Sequence, residues 1–537
     1  SMNKKILLGA AISLASLQVT AQPFAPTDAR GMAMGGTGVA SSKTVHSVQY
    51  NPSLLSGGHE SDDFGLLLPQ LGGYVADEDE FIDSADAFAD ADYITPFDDA
   101  INSITTPLET IQDQLSIIDS NKDETGDLAQ FAAATAILKT NANDVEAGTI
   151  SLKLANDDLS DGLVSISRKA LRGGLGGGAG IAIPSKKFSV AISANNSTTF
   201  SGLLNVTDAD LNTLTSYTDA TNAYAIVVSD YADAADASAA TLLLIQNASD
   251  NTHPDFDPAE ALRLTNDVLP GDTANLDAAN SDLAGFQYGT NGGAAGDDIF
   301  FEGELAPNAN DLQLTSTVEI VAIAISEVAL SISREFTIAD RQVAIGITPK
   351  LQRIDAYNYI VSVSDETETD DISEVGVEEN GFNLDIGAST KFGFEERGTF
   401  GIVAKNLIGR DIQTTDNNPL TTNDLTVSIA PQLRAGVAYS AWGWVNLAAD
   451  LDLTENEPVA FEDPTQFASL GAEVDLLNFL QLRAGYRTNL ASSGQNVVSG
   501  GLGISPFSLF HMDLGVYANA SDPEKEAGAV FELGIDW

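Results

Sequence analysis

The chain has no cysteine, which excludes a disulfide framework, a thiol nucleophile and thiolate ligation of a metal. Basic residues are scarce: 25 Lys and Arg stand against 77 Asp and Glu, and a formal charge of −52 repels a phosphate backbone, so nucleic acid is excluded as a partner. The only histidines are His46, His59, His253 and His511, with no zinc-protease pair, and no nucleophile elbow is present; the chain does not read as an enzyme. Beyond the N-terminus no apolar run reaches the roughly eighteen residues that a spanning helix needs. If this protein crosses a membrane, it crosses with strands.

The N-terminus has the layout of an export signal. Lys4 and Lys5 precede an apolar run from Ile6 to Leu17 and the small-residue end Val19-Thr20-Ala21, so residues 1–21 are expected to be a signal peptide cleaved near Ala21. At the other end Ala527, Ala529, Phe531, Leu533, Ile535 and Trp537 alternate with Gly528, Glu532, Gly534 and Asp536. That is a strand with one apolar and one wet face. Phe531, Leu533, Ile535 and Trp537 resemble the C-terminal signal that barrel-assembly machinery reads in bacterial outer-membrane proteins.

Between these ends the same alternation recurs. Strands are expected at 61–75, 172–184, 187–203, 311–336, 342–363, 380–394, 398–412, 424–440, 443–456, 464–475, 478–490, 496–506, 508–519 and 526–537, an even fourteen. Short turns alternate with long links at 76–171, 204–310, 364–379, 413–423 and 457–463, the asymmetry of a transmembrane barrel with its long loops outside the cell. The expected fold is thus an all-β antiparallel barrel over residues 61–537 with two large insertions, 76–171 and 204–310. In 424–440 the residues Leu425, Val427, Ile429, Leu433, Val437 and Tyr439 should meet lipid, and Arg434 the lumen. By the same parity Asp450, Asp452, Glu473, Arg483 and Arg487 should face the lumen, and His511 beside Asp513.

The insertions are different material. Thr95 offers an N-cap before Pro96, and Ile101, Ile104, Leu108, Ile111, Leu115 and Ile118 make one helical stripe. Leu211, Leu214, Thr218, Thr221, Tyr224, Val228 and Tyr231 make a second, looser one, so a helical cap is expected. There is no Lys or Arg between Lys43 and Lys122, and only Arg263 between Lys187 and Arg334, which leaves this face acidic. Asp250, Asp255 and Asp257 are candidate calcium ligands, as is the run from Asp365 to Asp371; Gly292 to Phe300 is loosely similar to one calcium-binding nonapeptide.

After the signal comes a glycine-rich run, with Arg30, Gly31, Gly35, Gly36 and Gly38, and then an Asn51-Pro52 turn. No Gly-Lys-Ser/Thr follows, so it is not a phosphate loop. The run resembles the N-terminal hatch of the FadL-type fatty-acid transporter superfamily, which implies a hatch over 22–60 packed in the lumen, with Arg30 against inward acids such as Asp450 or Glu473. The segments Ile347 to Asp355, Leu451 to Asn456 and Gln481 to Arg487 resemble the TraF-like family of outer-membrane proteins.

The resemblance implies a hatch-plugged channel in a Gram-negative outer membrane, taking up small hydrophobic molecules passively, with membrane lipid and lipopolysaccharide around it. The largest insertions follow strands one and three, whereas the ligand groove of the fatty-acid transporters belongs to later loops, so no ligand residue is assigned. Two other readings stand beside it. One is a non-transporting surface protein for adhesion, conjugation or membrane organisation, binding another protein at the helical cap. The other is the barrel subunit of a secretion machine.

Overall fold

The computed structural model describes residues 28–57, 64–121, 127–289, 298–306, 314–363, 376–414, 426–456, 461, 463–477, 479–506 and 509–536. The expected signal peptide and its cleavage point, Trp537, Gly292 to Asp297, and the acidic run 365–371 lie outside the described residues.

Three short helices, α1 (Ala29–Ala33), α2 (Ser47–Tyr50) and α3 (Leu54–Gly57), precede strand β1 (Gly65–Ala76). Helices α4 (Phe81–Ala91), α5 (Ile94–Asn121) and α6 (Leu128–Ile166) lead to β2 (Ala170–Ile183) and β3 (Ser189–Asn205). A second insertion follows: α7 (Asp208–Ser249), α8 (Pro258–Arg263), α9 (Leu269–Ala284) and a small sheet of β4 (Tyr288–Gly289), β5 (Asp298–Phe301) and β6 (Glu304–Leu305). The remaining barrel strands are β7 (Thr317–Ile338), β8 (Arg341–Ser362), β9 (Val377–Phe392), β10 (Gly398–Lys405), β13 (Gln432–Ala441), β14 (Val445–Asp452), β15 (Phe467–Leu476), β16 (Leu480–Asn489), β17 (Asn496–Ile504), β18 (Phe510–Asn519) and β19 (Glu526–Asp536), with a hairpin of β11 (Arg410–Gln413) and β12 (Thr426–Ile429) between β10 and β13.

The fourteen expected barrel strands form one closed sheet, each paired antiparallel with its chain neighbour. β1 closes the ring on β19, with Gly65 opposite Asp536 and Ala76 opposite Glu526. Closure leaves no strand edge, which is what a bilayer demands of a sheet. One residue bulges out of β1 between Leu67 and Gln70, where Pro69 has no N–H to give the ladder.

Side chains then divide by parity. Leu351, Leu470, Leu482 and Leu502 point outward and are exposed, while Gln352, Ser469 and Gln481 beside them are buried. At the end with the short turns, Phe394, Trp442, Trp444 and Phe479 are exposed, a girdle of aromatics where a barrel meets the membrane interface. No described helix is long and apolar enough to cross a membrane. The wall crosses instead.

One strand reading is corrected. The expected strand 398–412 ends at Lys405, and 424–440 begins at Gln432. The pieces between them pair with each other, Arg410 with Ile429 and Gln413 with Thr426, in a separate hairpin where the two barrel strands were expected to continue. Val427 and Ile429 are therefore buried against Ile323, Ile354 and Ala356, side chains of the inner wall, and do not meet lipid. Pro431 is the physical reason: without an N–H it breaks the ladder, and the chain turns inward there. Leu425 lies outside the described residues.

The helices form a stalk on the end opposite the short turns. Buried residues recur every seventh position: Ile104, Ile111 and Ile118 on α5; Phe131, Leu138, Val145, Leu152, Leu159 and Ile166 on α6; Tyr224, Tyr231 and Ser238 on α7. A seven-residue repeat keeps one seam facing its partner, as in a coiled coil. α6 and α7 have 39 and 42 residues, so each is about 60 Å long. Two helix readings change. Thr95 lies inside α5, which begins at Ile94, and Thr95 donates to Asp92 at 2.9 Å; Ile101 of the expected stripe is exposed.

Candidate functional site

The barrel interior is occupied by residues 28–57. Asp28 caps α1 by accepting from the Gly31 N–H at 2.6 Å, and the Tyr50 hydroxyl donates to the other oxygen of Asp28. Asn51 closes the turn before Pro52: its side-chain oxygen accepts from the Ser53 N–H at 3.1 Å, and its amide donates to the carbonyl of Val39 at 2.9 Å. Gly35 has φ +73° and lies so close to β16 that a Cβ on Gly485 would sit 2.1 Å from the Gly35 nitrogen. Only glycine fits on the wall at that point.

Charges from the wall meet this segment. Arg30 donates to both oxygens of Glu473, at 2.8 and 2.9 Å, and to the carbonyl of Ser41. Glu473 also accepts from Arg483 at 2.7 Å and from Asn446 at 3.1 Å, and Arg483 donates on to Asp513 at 2.5 Å. Asp450 accepts from the N–H groups of Gly38 and Val39 at 2.8 and 3.0 Å. Arg434 pairs with Asp452, and its third nitrogen reaches the carbonyl of Gly36 at 3.5 Å. Arg487 meets Glu526 at 3.2 Å and lies over the ring of Phe467. Buried charge is tolerable only when paired in this way.

Residues that the sequence gave no reason to single out complete the seal. Glu532 of the last strand, 3 % exposed, accepts from His46 at 2.7 Å and from the Ala29 N–H at 3.3 Å. Ser53 and Ser56 hydrogen-bond Ser389 and Ser333 of the wall. Lys350 is held between Glu327 and Asp385 at 3.1 and 3.2 Å, and Lys405 donates to the carbonyl of Gln49 at 2.6 Å. His511, which the sequence does place in the lumen, is on the inward face with Asp513 and contacts Ser505 at 2.7 Å.

Toward the stalk the interior changes character. The β11–β12 hairpin covers Ile323, Ile354 and Ala356 with Ile412, Val427 and Ile429. Beside this apolar cluster, Arg410 of the hairpin donates to Gln352 of the wall at 2.9 Å.

The remaining candidates are dispersed. Phe531 is outward and 42 % exposed, with Leu533 and Ile535 on the same face of β19. Asp257 is spent capping α8, and Asp250 accepts from Thr252, so these two serve local turns. Asp255 lies by His253 at 3.7 Å. Among the described residues Asp28, His46 and Glu532 alone gather as a possible metal set, and Asp28 and Glu532 are engaged by N–H groups and by Tyr50 and His46.

Where the second insertion returns to the barrel, Asp210 accepts from the Thr315 N–H and hydroxyl, both at 2.9 Å, and from the Ser316 N–H at 2.7 Å. Burial pushes its carboxyl up, but these hydrogen bonds outweigh burial and hold it below the ordinary value.

Comparison with known proteins adds the following. The family model described as "F plasmid transfer operon, TraF, protein" matches residues 48–452. No curated protein matches. The solved structure of the Pseudomonas putida toluene transporter TodX is similar at 9% identity with a TM-score of 0.39, covering 95% of this chain and 98% of that one. The Ralstonia pickettii toluene transporter TbuX is similar at 8% identity and a TM-score of 0.41, covering 95% and 98%.

Proposed function

The chain belongs to the family of the F plasmid transfer operon TraF protein, as an outer-membrane β-barrel and not an enzyme, and on that premise we propose that it is a plugged channel for passive uptake of small hydrophobic molecules. In this reading residues 28–57 are the plug and the helical stalk stands outside the cell. The observation that carries it is an interior filled by residues 28–57, which ion pairs and hydrogen bonds such as Arg30 to Glu473 hold to the wall, beside an apolar cluster around Ile354 and Ile412. A fourteen-stranded barrel is wider than those that their own side chains fill, so an interior packed with a separate segment is a passage held shut. The anchors are ion pairs and hydrogen bonds, which can exchange without breaking a covalent bond.

Uptake tests this. Cells bearing the chain should accumulate a radiolabelled medium-chain fatty acid or aromatic hydrocarbon faster than cells without it, and Ile412→Asp with Ile429→Asp should abolish the gain. Equal accumulation with and without the chain overturns transport.

A second reading has its own observation. Helix α6 of the stalk is about 60 Å long and exposes Ile150 and Leu154, each at least 60 % accessible, which suits a surface protein that contacts another cell.

A further inference from the structure

The wall receives the N-terminal segment on glycine. A Cβ added to Gly346 of β8, Gly401 of β10, Gly471 of β15, Gly485 of β16 or Gly515 of β18 would run into the backbone of that segment. Glycine inside a strand commonly marks such a close approach by another backbone. Strand β2 departs from this pattern. Ala182 turns inward, against Val45, Val48 and Leu55 of the segment, so Gly180, Gly178, Gly176 and Gly174 turn inward with it. The Tyr74 ring covers Gly174, and the Asn195 and Gln70 side chains cover Gly178. Gly176 and Gly180 have no such cover. The three atoms nearest to a Cβ on each belong to β3, the closest at 3.7 and 3.3 Å.

Glycines that carry neither side chain nor segment leave a trench down the inner wall between β1 and β3. At its foot, toward the short turns, Val45, Val48 and Leu55 close it against Leu67, Ala182 and Ala191. Halfway down, Gln70 is fully buried, and neither polar atom of its side chain has a hydrogen-bond partner among the described residues. Next to it Gln49 of the segment donates to Asn195 at 3.0 Å. The pair of His46 with Glu532 bounds the foot on the β19 side.

We propose that the passage past the plug runs down this trench, and that the apolar contact at its foot is the gate. The proposal rests on the reading above that residues 28–57 are a plug. Two physical differences single out this sector. Around β13 to β15 the segment is held by buried charge, Arg30 on Glu473 and the N–H groups of Gly38 and Val39 on Asp450. Parting the segment from the wall there strips ionised groups of their partners. At the foot of the β2 trench only apolar side chains have to part. Water that follows them reaches Gln70, whose amide is costly to keep dry and unpaired, so its hydration offsets part of the lost contact.

Single-channel recording of the full-length protein in planar bilayers tests the route. The pair Val45→Asn and Val48→Asn puts amides into the gate and should raise its open time about tenfold over the unaltered chain. The heat-modifiable migration of the barrel should be unchanged, and trypsin should still spare Arg30, which shows that the rest of the segment is in place. Gly176→Cys, added to that pair, puts the only thiol of the chain in the trench, and a methanethiosulfonate reagent should then block most of the current. The same reagent on Gly271→Cys, in α9 of the stalk, should leave the current unchanged. If the pair exposes Arg30 to trypsin, Leu67→Asn, a change in the wall alone, carries the same readings. Gate variants that stay silent while a deletion of residues 23–45 conducts, or a current that the reagent at position 176 leaves intact, overturn the route and leave the plug standing. A deletion that assembles yet conducts no more than the full chain overturns the plug, and the route with it.

Discussion

Arg30 of the N-terminal segment and Glu473 of β15, 443 residues apart, meet in a bidentate pair at 2.8 and 2.9 Å inside the barrel. Glu473 is at the same time a partner of Arg483, so a single carboxylate ties the segment to the wall and the wall to itself.

That sharing makes the two sides of the pair unequal. Glu473→Gln leaves two buried guanidinium groups short of a partner and should cost about 3–5 kcal/mol of stability, with frequent conductance openings in planar bilayers. Arg30→Gln leaves Glu473 its pair with Arg483 and should cost less. Equal effects of the two substitutions would count against the shared carboxylate.

Close approach at Gly485 gives a steric test. Gly485→Leu puts side-chain atoms where the Gly35 backbone lies, so the barrel should assemble but exclude the segment. Trypsin would then cut purified protein at Arg30 and Lys43, both now shielded in whole or part. Resistance equal to that of the unaltered chain would show that the segment is placed elsewhere.

The stalk should melt apart from the barrel. Leu138 is fully buried on the seven-residue seam of α6, and Leu138→Ala should cost the stalk about 2–5 kcal/mol. Helical circular dichroism should be lost at lower temperature while the heat-modifiable migration of the barrel stays the same. Simultaneous loss of both would mean that the two are one cooperative unit.

Asp210 gives the stalk a pH dependence. Its folded carboxyl titrates below the ordinary value of 3.8, so its contribution is complete above that value and disappears as pH falls through the folded one. Helical melting should weaken below about pH 4, and Asp210→Asn should melt lower at pH 6 and show less further loss on acidification. A variant as acid-sensitive as the original would remove Asp210 from that role.

The barrel was legible because alternation survives in every strand, and links of unequal length mark its two ends. Two things hid the rest. Alternation continues unbroken through Pro431, so Val427 and Leu433 look like neighbours on one face although the chain turns inward between them. The seam of α6 is written partly in Ala, Asn and Thr, at Ala142, Thr149 and Asn156, which hydropathy does not flag. Glu473 and Asp450 could be read as inward from parity. The pairing of His46 with Glu532 could not, because it joins positions 486 residues apart and only closure of the ring brings them together.

The central claim is that the N-terminal segment keeps this barrel shut. Delete residues 23–45, leave the export signal intact, and record single-channel currents in planar bilayers beside the full chain. The account predicts near silence from the full chain and a steady open conductance from the deletion. A deletion that assembles as a barrel yet conducts no more than the full chain would contradict it.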